Sequence, residues 1–316
     1  MQHISVLLNE TIEMLNVKDD GVYVDGTLGR GGHSCEILKR CPNGHLYAID
    51  CDEKAIEESR QRLLGVGDNF TIVHDRFENL CQILDQLGVD QVDGILLDLG
   101  VSSPQFDDQT RGFSYRMDAR LDMRMDQNQE LDAWQVVNMY SLEDLTRIFK
   151  EYGEEPFAYK IASKIVSIRD EKPINTTLEL VDVIRDALPN SVLRKKGHPA
   201  KKVFQAIRIE VNQELNQLSI VLKEGLKRLK PGGRFVVITF HSLEDRMVKN
   251  AFKEVGVPKK VDKRLPETGI ENLEYRLINR KPVTATENEL TYNNRAHSAK
   301  LRGIERTGES DEKETG

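Results

Sequence analysis

The sequence predicts an α/β protein in which helices cover a parallel sheet and an all-α domain interrupts the chain. Within the first hundred residues, segments of helical period alternate with four short apolar runs, at 22–25, 46–50, 70–73 and 92–99. These runs are apolar on both faces, which is typical of parallel strands that have helices on either side. The alternation stops at about residue 107 and resumes with a strand-like run at 234–240.

Turn and capping signals mark the βα units of the first half. The first strand runs into a glycine-rich turn at 26–32, and helical periodicity follows at 33–40. Asp52 follows the second strand in the sequence, where its carboxylate can accept N–H groups of a helix that begins at Glu53. A further helix is predicted at 78–87, between the third and fourth strands.

Between residues 107 and 202 the sequence shows helical periodicity and no convincing strand. Helices are predicted at 131–148, 157–168 and 176–188. Thr176 and Glu179 have the spacing of a capping box at the start of the last one. A long helical stretch at 203–229 leads back to the sheet, and a Lys-Pro-Gly-Gly turn ends it before the fifth strand.

These patterns predict an all-α domain inserted between the fourth and fifth strands of the sheet. The expected bounds are 1–106 with 203–306 for the α/β domain and 107–202 for the inserted helical substrate domain. A helix at 244–253 and antiparallel strands at 276–281 and 298–304 are predicted to complete the α/β domain. The last ten residues, 307–316, contain four acids and one lysine, which predicts a disordered acidic tail.

Composition restricts the classes of function. The 316 residues are 39% apolar and 31% charged with a net charge of −7, which is ordinary for a globular protein and excludes a histone-like coat of positive charge. No apolar run exceeds four residues and the first residues lack a secretory signal, so no membrane span or export is expected. The four cysteines form no CxxC pair, which favours reduced thiols in a cytoplasmic protein.

The glycine-rich turn is the first candidate site. A strand that feeds such a turn and then a helix is typical of sites for nucleotide-like ligands, because the backbone can approach the ligand closely. The spacing Gly-x-x-Gly-x-Gly-Gly at 26–32 is not the dinucleotide fingerprint, since Ser34 replaces its third glycine, and it is no P-loop. Dinucleotide binding is therefore disfavoured, while an ordinary tight βα turn remains an alternative.

Further candidates follow the ends of the other strands, which meet at one edge of a parallel sheet. Asp50 ends the second strand, where a carboxylate can accept both ribose hydroxyls of a nucleoside. Phe77 follows the third strand and can either cover an adenine ring or pack into the core. Asp98 ends the fourth strand and opens a loop of small residues. His241, after the fifth strand, can contact a substrate, or serve as a supporting residue or helix cap.

Six motifs in this order resemble the bacterial ribosomal RNA small subunit methyltransferase H family (MraW), from His3 to about Arg306. They read His-x-x-Val-Leu-Leu-x-Glu at 3–10, Asp-Gly-Thr-Leu-Gly-Arg-Gly-Gly-His-Ser at 25–34, Asp-Leu-Gly-Val-Ser-Ser-Pro-Gln at 98–105, Leu-Asp-Met-Arg-Met at 121–125, Tyr-Gly-Glu-Glu at 152–155 and Phe-His-Ser-Leu-Glu-Asp-Arg at 240–246. One departure is His297, where the family usually has an arginine.

The resemblance implies a class I (Rossmann-like) methyltransferase sheet with a helical insertion. It also implies transfer of a methyl group from S-adenosyl-L-methionine to the exocyclic N4 amine of one cytosine in 16S rRNA. Carried over position by position, the implied cofactor contacts are Gly31, Gly32, His33, Asp50, Phe77, Asp98 and Gln105. No catalytic residue is singled out and no metal is expected. The candidate proton acceptors are the backbone carbonyls of Ser102, Ser103 and Pro104, the Asp98 carboxylate and His241.

RNA contacts are expected from local clusters of positive charge, because the chain as a whole is acidic. The densest basic runs lie at 194–202 and 259–264. Arg111 and Arg124, with neighbouring arginines at 116 and 120, follow the Asp98 loop and are candidates for substrate contacts, although nearby acids can pair with them. The helical domain is expected to supply part of the RNA surface. The resemblance implies 16S rRNA within the small ribosomal subunit as the partner, and neither a membrane nor a stable protein partner is expected to be required.

Two other classes of function remain beside the methyltransferase. An NAD-dependent oxidoreductase is disfavoured by the missing third glycine of the turn. A non-catalytic ribosome assembly factor would bind through the basic segments and transfer no methyl group to RNA.

Overall fold

The computed structural model describes residues 5–102, 105–106, 108–258 and 273–308. The chain forms two compact units. The first comprises Met1–Gly100 and Asn216–Gly316, and the second comprises Val101–Leu215. Among the described residues, no helix has the length and apolar character needed to cross a membrane.

The first unit is built on a seven-stranded sheet of order β3-β2-β1-β4-β5-β7-β6. The strands are β1 (Val22–Asp25), β2 (His45–Asp50), β3 (Phe70–His74), β4 (Val92–Asp98), β5 (Leu229–Thr239), β6 (Tyr275–Leu277) and β7 (Lys300–Arg306). β1 to β5 pair in parallel, whereas β7 runs antiparallel to β5 and β6. The strand order reverses at β1, between β2 and β4, so a crevice opens there at the carboxyl ends of the strands.

Helices cover both faces of this sheet. The first four are α1 (Leu8–Leu15), α2 (Gly32–Arg40), α3 (Glu53–Leu64) and α4 (Leu80–Gln86). Successive strand residues enter opposite apolar layers, as the twofold period of a strand requires: Tyr23 and Leu96 lie in one layer, Val24 and Leu97 in the other. The predicted cap at Asp52 is confirmed, since its side chain accepts the Lys54 N–H at 3.1 Å.

The second unit is helical and has its own core. Its helices are α5 (Ala133–Met139), α6 (Leu142–Glu151), α7 (Ala158–Arg169), α8 (Thr177–Ala187), α9 (Asn190–Leu193) and α10 (Lys201–Asn212). The capping box predicted for α8 is confirmed: Thr176 Oγ1 accepts the Glu179 N–H at 3.3 Å, and the Glu179 carboxylate accepts the Thr176 N–H at 3.2 Å.

The helical unit is longer than the expected segment 107–202 because α10 packs into it. Val203, Phe204 and Ile207 are buried in the core of this unit. The single long helix expected at 203–229 is wrong, because two helices occupy this segment. α10 ends at Asn212, Gln213 adopts a left-handed conformation with φ 52°, and a new helix, α11 (Glu214–Glu224), begins.

The remaining elements return to the sheet. They are α12 (Ser242–Gly256) and α13 (Glu287–Tyr292), which precede the antiparallel β7. The strands expected at 276–281 and 298–304 are found at Tyr275–Leu277 and Lys300–Arg306. The expected tail lies outside the described residues apart from Thr307 and Gly308, and the Thr307 N–H donates to the Glu274 carbonyl at 2.8 Å.

Candidate active site

The glycine-rich turn after β1 folds tightly at the start of α2. Gly29 and Gly31 have φ values of 49° and 70°, in the left-handed region where a side chain is costly. A Cβ at Gly32 would lie 1.8 Å from Ser5 Oγ, so a larger residue would force this neighbour to move. Gly31 is the N-cap of α2 and supplies no side-chain hydrogen bond. This helix end therefore suits a carboxylate or phosphate of a ligand.

The buried side chain of Asp25 stabilises the turn through hydrogen bonds. Its side chain is 1% exposed. One carboxylate oxygen accepts the Ser34 hydroxyl at 2.6 Å, and the other accepts the Thr27 N–H at 3.1 Å. Burial raises the pKa of Asp25. Asp25 was not among the predicted site residues, although its place as the last residue of β1 and the first of the glycine motif is a signal for this role.

Asp50 connects the second strand to the turn. Its Oδ2 accepts the Gly29 N–H at 2.7 Å and its Oδ1 accepts the Asp52 N–H at 2.9 Å. Each carboxylate oxygen can accept a second hydrogen bond, so the two oxygens remain available to a pair of ribose hydroxyls. Burial raises the pKa of Asp50 to about 6, and the hydrogen bonds from Asp52 and Gly29 oppose this shift.

Asp98 ends the fourth strand, and one of its oxygens has a vacant acceptor position. Its Oδ1 is buried and accepts no hydrogen bond from the residues that the structure describes. Burial raises the pKa of Asp98 well above its usual value, and the nearby carboxylates of Asp25 and Glu244 add to the shift. A buried acceptor without a donor is costly, so this oxygen is suited to a donor that a ligand brings.

His33 holds the other oxygen of Asp98. Its ring is buried, with Nδ1 3.5 Å from Asp98 Oδ2 and Nε2 3.1 Å from the Val6 carbonyl. A carbonyl only accepts, so Nε2 carries a proton and donates to Val6. The contact at Nδ1 then needs one proton, either on Asp98 or on a charged His33. The His33 side chain is thus bound to protein groups and orients the Asp98 carboxyl group.

Two isosteric substitutions are expected to separate the two contacts of His33. The amide nitrogen of His33→Asn occupies the Nδ1 position and can still donate to Asp98, whereas His33→Gln preserves only the donor to Val6. We expect cofactor affinity to fall about tenfold in His33→Gln, the equivalent of one hydrogen bond to a charged group, and to fall less in His33→Asn. Isothermal titration calorimetry measures both. Equal losses would contradict this role.

Phe77 opens the 3-10 turn Phe77–Asn79 that follows β3. Its ring is partly buried and packs against the apolar layer that contains Val24 and Leu97. Its Cβ also borders the glycine turn, since a Cβ added at Gly26 would lie 3.2 Å away. Contact with an adenine ring therefore stays a prediction beside the packing role.

His241 is the N-cap of α12, and a helix cap was one of the roles predicted for it. Its Nδ1 accepts the Glu244 N–H at 3.5 Å, and its Nε2 lies 3.0 Å from Glu244 Oε1. The other oxygen of Glu244 accepts the Phe240 N–H at 2.8 Å. Glu244, which was not among the predicted site residues, thus fixes the end of β5, and its position three residues after the cap is the signal that identifies it.

Within the helical unit, the start of the loop that follows Asp98 is closed by two reciprocal hydrogen bonds. The Ser102 N–H donates to Gln105 Oε1 at 3.0 Å, and the Gln105 N–H donates to Ser102 Oγ at 3.4 Å. Gln105 is buried. Ser103 and Pro104 lie outside the described residues, so their carbonyls stay candidates from the sequence alone.

The arginines predicted to reach a substrate have partners inside the helical unit. Arg111 is buried and donates to the carbonyls of Arg124 and Met125, each at 2.9 Å. Arg124 in turn binds the Asp122 carboxylate with two nitrogens, at 3.1 and 2.8 Å. Both side chains therefore stabilise this loop, and their contact with a substrate stays a prediction.

The strand order with its antiparallel seventh strand, the glycine turn after β1 and the acids that end β2 and β4 define a class I methyltransferase that uses S-adenosylmethionine. A sequence profile of the MraW methylase family matches residues 1–307, and the chain belongs to this family.

One relative shows the same relationship. The chain is 50% identical to the ribosomal RNA small subunit methyltransferase H of Oenococcus oeni over 309 residues, covering 96% of this chain and 98% of the relative. A solved structure from Clostridium thermocellum is 14% identical, with a TM-score of 0.44 and coverage of 96% of this chain and 100% of that one. An rRNA methylase from Streptococcus thermophilus is also 14% identical, with a TM-score of 0.37 and coverages of 95% and 93%.

Proposed function

We propose that this protein transfers the methyl group of S-adenosylmethionine to the N4 amine of a cytosine in 16S rRNA, within the small ribosomal subunit and in the cytoplasm. The name of the 50% identical relative and the six family motifs support RNA of the small subunit as the substrate. The observation that carries the proposal is the buried, vacant acceptor of Asp98 beside the glycine turn that Asp50 holds.

The residues of the site fit this cofactor. Asp50 would accept the ribose hydroxyls, the N-terminus of α2 at Gly31 would face the methionine carboxylate, and Asp98 Oδ1 would accept from a donor of the cofactor. When bound, the cofactor supplies an activated methyl group on a sulfonium. The task of the protein is then mainly alignment, because holding the amine in line with the methyl group can lower the barrier by several kcal/mol.

The target amine is a poor nucleophile because its lone pair is delocalised into the pyrimidine ring, and the nitrogen has to lose a proton once it has gained the methyl group. An acceptor near the amine would assist by about 10²-fold or more. Three candidates remain: the carbonyls of the loop at 102–104, the Asp98 carboxyl group and His241. A base in a helical region of RNA has to be turned out of its stack to reach any of them.

Transfer of labelled methyl groups from S-adenosylmethionine to small-subunit RNA tests the proposal. We expect label in one cytosine of 16S rRNA, and mass mapping of this RNA from cells without the gene should lack that N4-methyl group. An assembly factor would transfer no label. A rise in melting temperature with NAD rather than with S-adenosylmethionine would instead support the oxidoreductase.

Substitution of His241 is expected to separate capping from catalysis. His241→Ala removes the cap of α12, which typically costs about 1 kcal/mol, whereas His241→Asn retains a good capping residue without the imidazole. We expect both variants to bind the cofactor normally and to turn over more slowly, measured as kcat with 16S rRNA. Full activity of His241→Asn would leave His241 with the capping role alone.

A further inference from the structure

Several cations on the surface of the helical unit have no acidic partner among the described residues. They are exposed and form no ion pair with any residue in the described part of the chain: Arg116, Arg185, Arg194, Lys195, Lys196 and Lys201. In a protein of net charge −7, a group of unneutralised cations on one unit is not expected from composition. An external anion such as a phosphate group can neutralise such exposed cations.

Two stacked rings lie close to two of these cations, Arg116 and Arg185. The rings of Tyr115 and His198 are 4.3 Å apart and inclined by 19°, and Tyr115 meets the buried Phe204 edge-on at 5.7 Å. The Arg116 guanidinium lies 5.9 Å from the centre of the Tyr115 ring. Phe204 thus anchors the stack in the core of the helical unit, while Tyr115 and His198 remain partly exposed.

His198 is held as a neutral ring. Burial and the nearby guanidiniums of Arg116 and Arg185 lower its pKa, and its Nδ1 accepts the Ala200 N–H at 3.3 Å. A neutral imidazole stacks on a nucleobase without the cost of desolvating a charge. The arrangement therefore combines a flat aromatic surface with positive charges that precede and follow His198 in the sequence.

The N-terminus of α10 adds to the positive potential. Its first turn carries Lys201 and Lys202 and no acid, and Ala200 caps it without a side-chain hydrogen bond. Cations at the positive end of a helix dipole are unfavourable for folding. Lys202 Nζ is bound to the Glu154 carbonyl at 2.7 Å, whereas Lys201 is exposed.

We propose that this surface, the basic platform (Tyr115, Arg116, Arg185, Arg194, Lys195, Lys196, His198 and Lys201), binds a single-stranded segment of RNA. The cations contact phosphates and position the strand, while a base stacks on His198 without being identified by its edge. This inference rests on the proposed function for its choice of RNA, and it specifies where the helical unit holds the substrate. Phosphate contacts together with an aromatic surface favour single-stranded RNA over an acidic protein.

Fluorescence anisotropy tests the platform by measuring how the full-length protein binds a fluorescein-labelled oligouridylate and 16S rRNA. The salt concentration is varied from about 50 to about 200 mM, a range over which counterion release strongly changes affinity for RNA. The triple variant Arg194→Gln, Lys195→Gln, Lys196→Gln should bind both RNAs at least about tenfold more weakly, and its salt slope should fall by about 2. His198→Ala should weaken binding about tenfold with an unchanged salt slope. The matched control replaces Lys160, Lys249 and Lys253, exposed lysines outside the platform, with glutamine.

The outcomes separate the platform from the proposed function. Cofactor affinity should be unchanged in every variant, since none of these residues belongs to the cofactor site. The platform would be wrong if the control lost as much RNA affinity as the triple variant. It would also be wrong if the protein bound anionic vesicles or polyglutamate as tightly as oligouridylate and His198→Ala left that affinity unchanged. If the unmodified chain binds RNA as described but transfers no methyl group, the proposed function fails and the platform stands.

Discussion

Replacing Asp98 with alanine is expected to weaken binding of S-adenosylmethionine by at least about 100-fold. The buried Oδ1 of Asp98 lacks a donor among the residues described, so a donor from the cofactor would satisfy it. Removal of one partner of a buried, charged hydrogen bond costs about 2–5 kcal/mol, and about 2.7 kcal/mol already corresponds to 100-fold in affinity. Isothermal titration calorimetry at about pH 7.5 measures this loss of affinity directly.

The opposite end of the same strand offers a matched control. Asp93 also lies in β4, but its carboxylate binds Lys230 Nζ at 2.7 Å and the Val22 N–H at 2.9 Å, far along the strand from Asp98. Asp93→Ala should therefore lower the melting temperature and leave cofactor affinity unchanged. Unchanged affinity in Asp98→Ala would overturn the assignment of Asp98 to the cofactor site.

The framework of the site was predictable because it depends on local patterns. Apolar runs identified the five parallel strands, and the place of Asp50 and Asp98 at their ends follows from the geometry of parallel sheets. The capping box at Thr176 was equally visible, since two residues three positions apart determine it. Signals of this kind need no knowledge of distant contacts.

What the sequence did not show were the partners of each polar group. Arg111 and Arg124 have the residue type of an RNA contact, and only the folded loop shows their carbonyl and carboxylate partners. The break at Gln213 has no glycine or proline to mark it. His33 was identified through the family motif, yet its contacts with Val6 and Asp98 join positions far apart in the chain.

Cofactor affinity is also expected to depend on pH through Asp50. Burial raises its pKa from 3.8 to about 6, so Asp50 stays neutral up to a higher pH in the unliganded fold than in the unfolded chain. This contribution to folding stability is fully present below the unfolded pKa and is lost as the pH rises through about 6. The cofactor has the opposite preference, because ribose hydroxyls donate to a carboxylate and the sulfonium is a cation.

Affinity for S-adenosylmethionine should therefore increase as the pH rises through about 6, with a slope approaching tenfold per pH unit on the acid side. In Asp50→Asn, which cannot titrate, the affinity should be lower and this transition should be absent. Any transition that belongs to Asp98 should remain, since the pKa of Asp98 is raised by its own burial and by other carboxylates. Calorimetric titrations across this pH range, in buffers of different ionisation enthalpy, count the protons released on binding. The same acid transition in Asp50→Asn would show that another group controls it and that Asp50 does not bind the ribose in its ionised form.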